Sequence, residues 1–272
     1  MPYRQAHWYL LAIFPLAGLA FWQSYLSQIT AAPLQMHLHG VTATLWLLLL
    51  VAQSWTMHNG HRDLHRRLGL LSLLFFPLFL AGGAGIFLGM AQRYVEADSP
   101  FYVLYAPRLA LIDIVSVAAF AFFFHEALRY RRQVQLHAGY LLATVILLLP
   151  PILGRIAPLP LGLEISGPAD FWKLGIGFQA ANGVTALLAF AIALWRGRNG
   201  LPFVFAGVAV LIAAALYQTL GAASVWQGLF AAMARLPITP LAIAAGLAGG
   251  AIAASGWLAG SSAPRPPQPQ PA

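Results

Sequence analysis

Eight runs of predominantly apolar residues, at roughly 8–28, 37–57, 67–91, 104–128, 137–157, 171–195, 202–222 and 238–259, take up most of this 272-residue chain. About 20 such residues, wound as an α-helix, cross the hydrocarbon core of a bilayer with every backbone N–H and C=O bonded inside the segment. The pattern therefore predicts an all-α fold: a polytopic transmembrane helical bundle of about eight spans, forming one membrane domain over residues 1–260. Only 8% of the residues are charged and 60% are hydrophobic. Soluble domains carry about 25% charge, so a soluble enzyme, a nucleic-acid binder and a disordered chain are all excluded. The bilayer itself is the first expected partner. Arg4 before the first run points to a retained span rather than a cleaved leader. Residues 223–236, with Trp226, Leu229, Phe230 and Met233, read as a short interfacial helix. The Pro/Gln-rich tail 261–272 lacks apolar content and reads as disordered.

Net charge is +8, and 14 of the 15 basic residues are Arg. They sit at the ends of the apolar runs, where they set topology and meet lipid head groups. With the N-terminus inside, Arg4, Arg62, Arg66, Arg67, Arg129, Arg131, Arg132, Arg196, Arg198 and Arg265 are cytoplasmic. Arg93, Arg108, Arg155, Lys173 and Arg235 then lie on the other side. This bias predicts cytoplasmic termini in a plasma (inner) membrane. Cysteine is absent, which removes thiolate metal sites, disulfides and Cys nucleophiles.

Polar groups inside a bilayer are costly and tend to be paired or functional. Seven of the eight His residues fall in spans two to five and their connections, which marks a His-bearing four-helix core over about 36–157. His65, His125 and His137 approach the cytoplasmic face from three different helices. His65 and His137 each have a Gly close behind, Gly69 and Gly139, and a missing side chain beside an imidazole leaves room for a flat macrocycle. These three His are candidate haem ligands, with Arg66 and Arg67 placed to pair with propionates. His61 and His65 are spaced i, i+4, so with His125 and Glu126 they are also candidate metal ligands. On the other side of the membrane, Asp113 lies deep in span four. Its expected partner is Arg108 or Arg155, and with His39 these four residues are a candidate substrate or proton-transfer site. Gln179 and Asn182 share a face of span six and suit interhelical hydrogen bonds, as does Gln53 in span two. Gly85 with Gly89, and Gly246 with Gly250, suit close helix approach.

The strings MHLHGVTATLWLLLLVAQSWTMHNGHRDLHRRLG and LHAGYLLATVILLLPPILGR carry a resemblance. They resemble a bacterial family of integral membrane proteins of unassigned function, through His39, Gly40, Gln53, His65, Arg66, Gly69, His137, Pro150 and Arg155. That family is distantly similar to transmembrane b-type cytochromes and ferric-reductase-like four-helix bundles. The resemblance covers spans two to five and implies a haem held by His on facing helices. Diheme members place two His about 14 residues apart on each of two helices. Here Gln53 and Pro151 stand where the second His would be, so at most one haem with two His ligands is implied, near the cytoplasmic face.

Three functions follow as expectations. The first is a b-type haem protein that passes electrons to or from a redox partner. The second is a transporter or small-molecule binding protein using Asp113, Arg155 and His39. The third is a His/carboxylate metalloenzyme acting on lipid through His61, His65, His125 and Glu126.

Overall fold

The computed structural model describes residues 3–262. Every regular element among them is helical: α1 (Ala6–Phe21), α2 (Leu34–His58), α3 (Arg62–Val95), α4 (Pro100–Arg129), α5 (Val134–Ile146), α6 (Leu149–Ile156), α7 (Trp172–Arg196), α8 (Leu201–Gln218), α9 (Ser224–Met233) and α10 (Ile238–Ser262). Seven stretches are long and apolar enough to span a membrane, with α5 and α6 together making one of them. The protein is an all-α, polytopic membrane bundle, with α1 as a shorter eighth member. Of the tail expected from residue 261, Ser261 and Ser262 extend α10; the rest lies outside the described residues.

Two expected spans differ from their apolar runs. The first run extends to Gln28, but α1 stops at Phe21. Beyond it, the side chains of Ser27 and Gln28 both donate to the Gln23 carbonyl. Such local bonds compete with helix propagation, and the chain continues in turns. The fifth run is broken between α5 and α6 at Leu147 and Leu148. Pro150 and Pro151 have no N–H to return to the carbonyls four residues back, so the α-helical ladder cannot run through.

Alternating passes put several chain ends on one face. His7 N–H donates to Ser54 Oγ at 3.1 Å, joining the start of α1 to the end of α2. Arg131, in the α4–α5 turn, donates to the Trp257 carbonyl and to Ser261 Oγ, both at 2.7 Å. Its guanidinium also lies 4.4 Å from the Trp257 ring centre. A cation on the last carbonyls of a helix is favourable, so Arg131 fastens the end of α10 to the α4–α5 turn. We call this side the N-terminal face.

The centre of the bundle is aromatic. Trp46 from α2, Phe76 and Phe79 from α3, and Phe120 and Phe124 from α4 are all buried. Phe76 stacks on Phe124 at 4.3 Å, Phe79 on Phe120 at 4.6 Å, and Trp46 tilts onto Phe120 at 5.0 Å. Trp46 Nε1 donates to Thr144 Oγ1 of α5 at 3.1 Å. The four helices expected to form the core therefore do meet. In lipid this contact is held by dispersion and shape rather than by expulsion of water. α10 lies along α3 and α4, with Gly249 against Pro77 and Gly256 against His125. Gly89 and Gly250, expected at helix contacts, have no atom near enough to touch an added methyl group, so they are not the close-approach points. The expected interfacial helix, α9, packs onto the bundle. Its Trp226 Nε1 donates to the Pro107 carbonyl at 2.7 Å and Phe230 is buried, while Leu229 faces outward.

α6 and α7 approach closest at Gly154 and Gly177. A Cβ on Gly154 would lie 2.3 Å from Phe178 Cδ1, and one on Gly177 2.9 Å from Pro158 Cδ. Overpacking of this kind costs about 1–3 kcal/mol. Gly154→Ala is expected to lower the thermal unfolding temperature in detergent. Gly18→Ala, where nothing lies within 4 Å, is the control and is expected to leave it unchanged.

Candidate functional site

Two polar centres lie inside the bundle, on either side of the aromatic plug. The first is near the N-terminal face. α4 ends at Arg129, so its last carbonyls have no partner within the helix. His137, in the first turn of α5, supplies one: its Nδ1 lies 2.8 Å from the Ala127 carbonyl. A carbonyl only accepts, so Nδ1 carries the proton and Nε2 is left as the free ring nitrogen. The His65 ring, from the first turns of α3, stands 6.5 Å from that of His137, nearly perpendicular to it at 83°. His65 approaches the Gln53 backbone carbonyl without closing a hydrogen bond of normal geometry, and its Nδ1 is buried without a partner. Gln53 Oε1 is likewise buried and unpaired. Residues far apart in sequence, Gln53, His65 and His137, thus converge from α2, α3 and α5.

The space beside these His residues is filled. A Cβ at Gly69 would meet Gln53 Nε2 at 3.3 Å, and one at Gly139 would meet Pro202 Cγ at 3.1 Å and the Tyr3 hydroxyl at 3.3 Å. In this conformation the space beside the two glycines is taken by an amide and a neighbouring helix. His125 does not join the pair. Its Nδ1 lies 2.8 Å from Glu126 Oε1, and its ring edge packs against Gly256 of α10. Glu126 also accepts from Arg129 at 3.2 Å. His61 lies on the exposed turn against Trp55. Among the described residues no three His, Cys, Asp or Glu side chains gather as a metal group, so His61, His65, His125 and Glu126 are not assembled into one centre. Arg66 and Arg67 are solvent- or lipid-exposed beside His65.

The second centre lies in the other half of the membrane. Gly82 of α3 sits against His39, where an added Cβ would be 3.2 Å from the His39 Cα. The His39 ring rests 5.7 Å from Phe79, and its Nδ1 is buried and unpaired. Asp113 lies on α4 two turns from Phe120 and on the same side of the helix, so it too faces the interior. Arg155 projects from α6, just past the break in its span. It donates to the Pro151 carbonyl at 2.7 Å and lies 4.6 Å from the Phe21 ring centre. Asp113 and Arg155 are within electrostatic reach of each other, but farther apart than the 4.0 Å of an ion pair. Asp113 makes no hydrogen bond to any described residue. Tyr102, which sequence reasoning missed, also lies within the field of Arg155 and accepts from Arg93 at 2.6 Å.

Arg108 is not part of this centre. Five positions from Asp113 on a helix is about 140° around the axis. Arg108 accordingly turns to α8, with its Cα against Gly221 and its guanidinium 5.6 Å from the Tyr217 ring centre. In α7, Gln179 makes its expected interhelical bonds, to the Ala214 carbonyl at 3.2 Å and to Gln218 Oε1 at 3.3 Å. Asn182 and Thr185 are buried without partners. His7 is buried against Ser54 and His58.

Compared with protein-family models, curated proteins and solved structures, the chain matches none of them.

The fixed tautomer of His137 has a direct readout. In ¹⁵N-histidine NMR of the purified protein, the signal removed by His137→Gln is expected to show a protonated Nδ1 and a free Nε2. An Nε2–H tautomer would contradict the Ala127 bond.

Proposed function

We propose that this multi-pass membrane protein binds a small ionisable solute at the His39–Asp113–Arg155 centre and moves it across the bilayer with a proton carried at Asp113. One observation carries this proposal: a carboxylate within a spanning helix lies in the field of a guanidinium, yet is not paired with it. Placing an Asp near the middle of a membrane helix costs about 2.5–3.5 kcal/mol on insertion scales. A structural ion pair would close the gap and offset that cost; an open arrangement suits a ligand or a proton in transit. The break between α5 and α6, about two turns from Arg155 in sequence, adds support. Discontinuous helices beside a buried polar site recur in secondary transporters because unwound backbone supplies ligands where a regular helix has none.

Proteoliposomes containing the purified chain and a pH-sensitive dye test this. Proton flux above that of empty liposomes is expected with at least one of a panel of short carboxylates, amino acids and amines. Asp113→Asn is expected to reduce it at least about ten-fold, the loss of one proton-transfer group. Asp63→Asn, at the exposed start of α3, is expected to leave it intact. No flux with any member of the panel would overturn the proposal.

As a second proposal, favoured by one distance, His65 and His137 hold the iron of a b-type haem, as the resemblance to membrane cytochromes implies. Two metal–imidazole bonds of about 2 Å require ring centres about 6 Å apart, and the pair stands at 6.5 Å. The Ala127 bond orients His137 in the manner of an outer-shell partner, and Arg66 and Arg67 would meet the propionates. Such a haem would supply one-electron chemistry. The Gln53 amide beside Gly69 and the Pro202 ring beside Gly139 must withdraw to admit it. Protein expressed with a haem precursor is expected to show a Soret band that His65→Ala and His137→Ala each remove; its absence ends this proposal.

A further inference from the structure

A groove of about 720 Å³ runs between α4, α7 and α8 on the side opposite the N-terminal face. Arg108, Tyr105, Trp172, Ile176, Tyr217 and Gln218 line it. We propose that it is a binding site for one anionic phospholipid, with the lipid phosphate on Arg108 and an acyl chain along the outer wall.

Charge is the first reason. Arg108 lies about 12 Å along α4 from its start at Pro100, at 1.5 Å per residue, and no carboxylate of the described residues lies within ion-pair distance of it. Of the two acidic side chains on the adjoining connection, Glu164 and Asp170, the latter is already engaged. Lys173 donates to it, at 2.8 Å, and holds its carboxyl below the usual range. A guanidinium at this depth takes its counter-anion from outside the chain, and basic pockets between spanning helices bind lipid head groups on these grounds.

The second reason is a donor with nothing to bond. Tyr217 is 1% exposed, its ring stands beside Arg108, and its hydroxyl has no hydrogen-bond partner. The nearby Tyr105 hydroxyl is occupied, donating to the Phe171 carbonyl and accepting from Gly175 N–H. Gln218 accepts from Gln179 through Oε1, which leaves its NH₂ free. A guanidinium, a phenol and an amide NH₂ make a donor set for phosphate oxygens.

The walls decide between a lipid and a free anion. Ile176 is 45% exposed and Leu104, at the same groove, 46%. Both are apolar and lipid-facing, which suits an acyl chain. Trp172, 58% exposed at the start of α7, is the amphipathic ring that marks head-group depth.

Native mass spectrometry of the full chain in detergent tests the site with phosphatidylglycerol, phosphatidylcholine and inorganic phosphate as probes. One phosphatidylglycerol per protein is expected to be retained in preference to phosphatidylcholine, and millimolar phosphate is expected not to displace it. Arg108→Gln is expected to cut retention about ten-fold, the loss of a charge-assisted hydrogen bond. Tyr217→Phe, which keeps the ring and removes only the hydroxyl, is expected to cut it several-fold and serves if Arg108→Gln does not fold. Arg235→Gln, an exposed charge elsewhere on this face, is expected to change nothing. Retention unaffected by Tyr217→Phe, equal retention of phosphatidylcholine, or displacement by phosphate would each overturn the proposal.

Discussion

A helix in lipid bonds its own backbone, but it can do nothing for an ionisable side chain. Each such group must be paired, neutral, at the head-group level or in contact with something the chain does not supply. Most of the charge in this protein obeys the first or third condition. Glu126 is shared between His125 and Arg129 at the end of α4, Asp170 is held by Lys173, and Arg131 bonds the end of α10. Against that background three groups stand apart: Asp113 and Arg155, which see each other without touching, and Arg108, whose guanidinium lies by the Tyr217 ring.

The fold was legible in the sequence because membrane-spanning length is a property of composition. Runs of apolar residues placed α2, α3, α4, α7, α8 and α10 without reference to any contact. The errors fall where a local bond outweighs composition. Trp22–Gln28 is apolar enough to read as span, yet Gln23 collects the side chains of Ser27 and Gln28. Pro150 and Pro151 lie in a run long enough to cross, yet their missing N–H groups divide it. Both features are visible in the sequence, but their weight depends on what the neighbouring helices tolerate.

Site residues were legible to a lesser degree, and the reason is angular. Hydropathy gives depth along a helix but says little about which way a side chain turns. Depth alone grouped Arg108 with Asp113 and His125 with His65. Rotation about the helix axis separates both pairs, sending Arg108 towards α8 and His125 towards α10. His65 and His137 were recoverable because each lies near a helix end, where depth nearly fixes position, whereas Gln53 reads in sequence only as an interhelical hydrogen-bonding amide. Tyr217 left no signal at all. One Tyr among nine is conspicuous only once its hydroxyl is seen to be buried without a partner.

The aromatic plug bears on what the two polar centres can do together. Phe76, Phe120, Phe124 and Trp46 are almost completely buried and in ring contact, so packed rings fill the middle of the bundle. Under the proposed transport, a solute bound at Asp113 would reach the N-terminal face only if the plug opened. Opening cannot be a rotamer change of one ring, because each ring contacts at least two others. It has to be a displacement of one helix relative to the rest. α5 and α6 are the natural moving part: their ladder is already interrupted at Leu147 and Leu148, and Thr144 is tied to the plug by the single Trp46 bond. His137, at the far end of α5, sits on the end of α4 through its bond to Ala127. Movement of α5 would strain or release that bond.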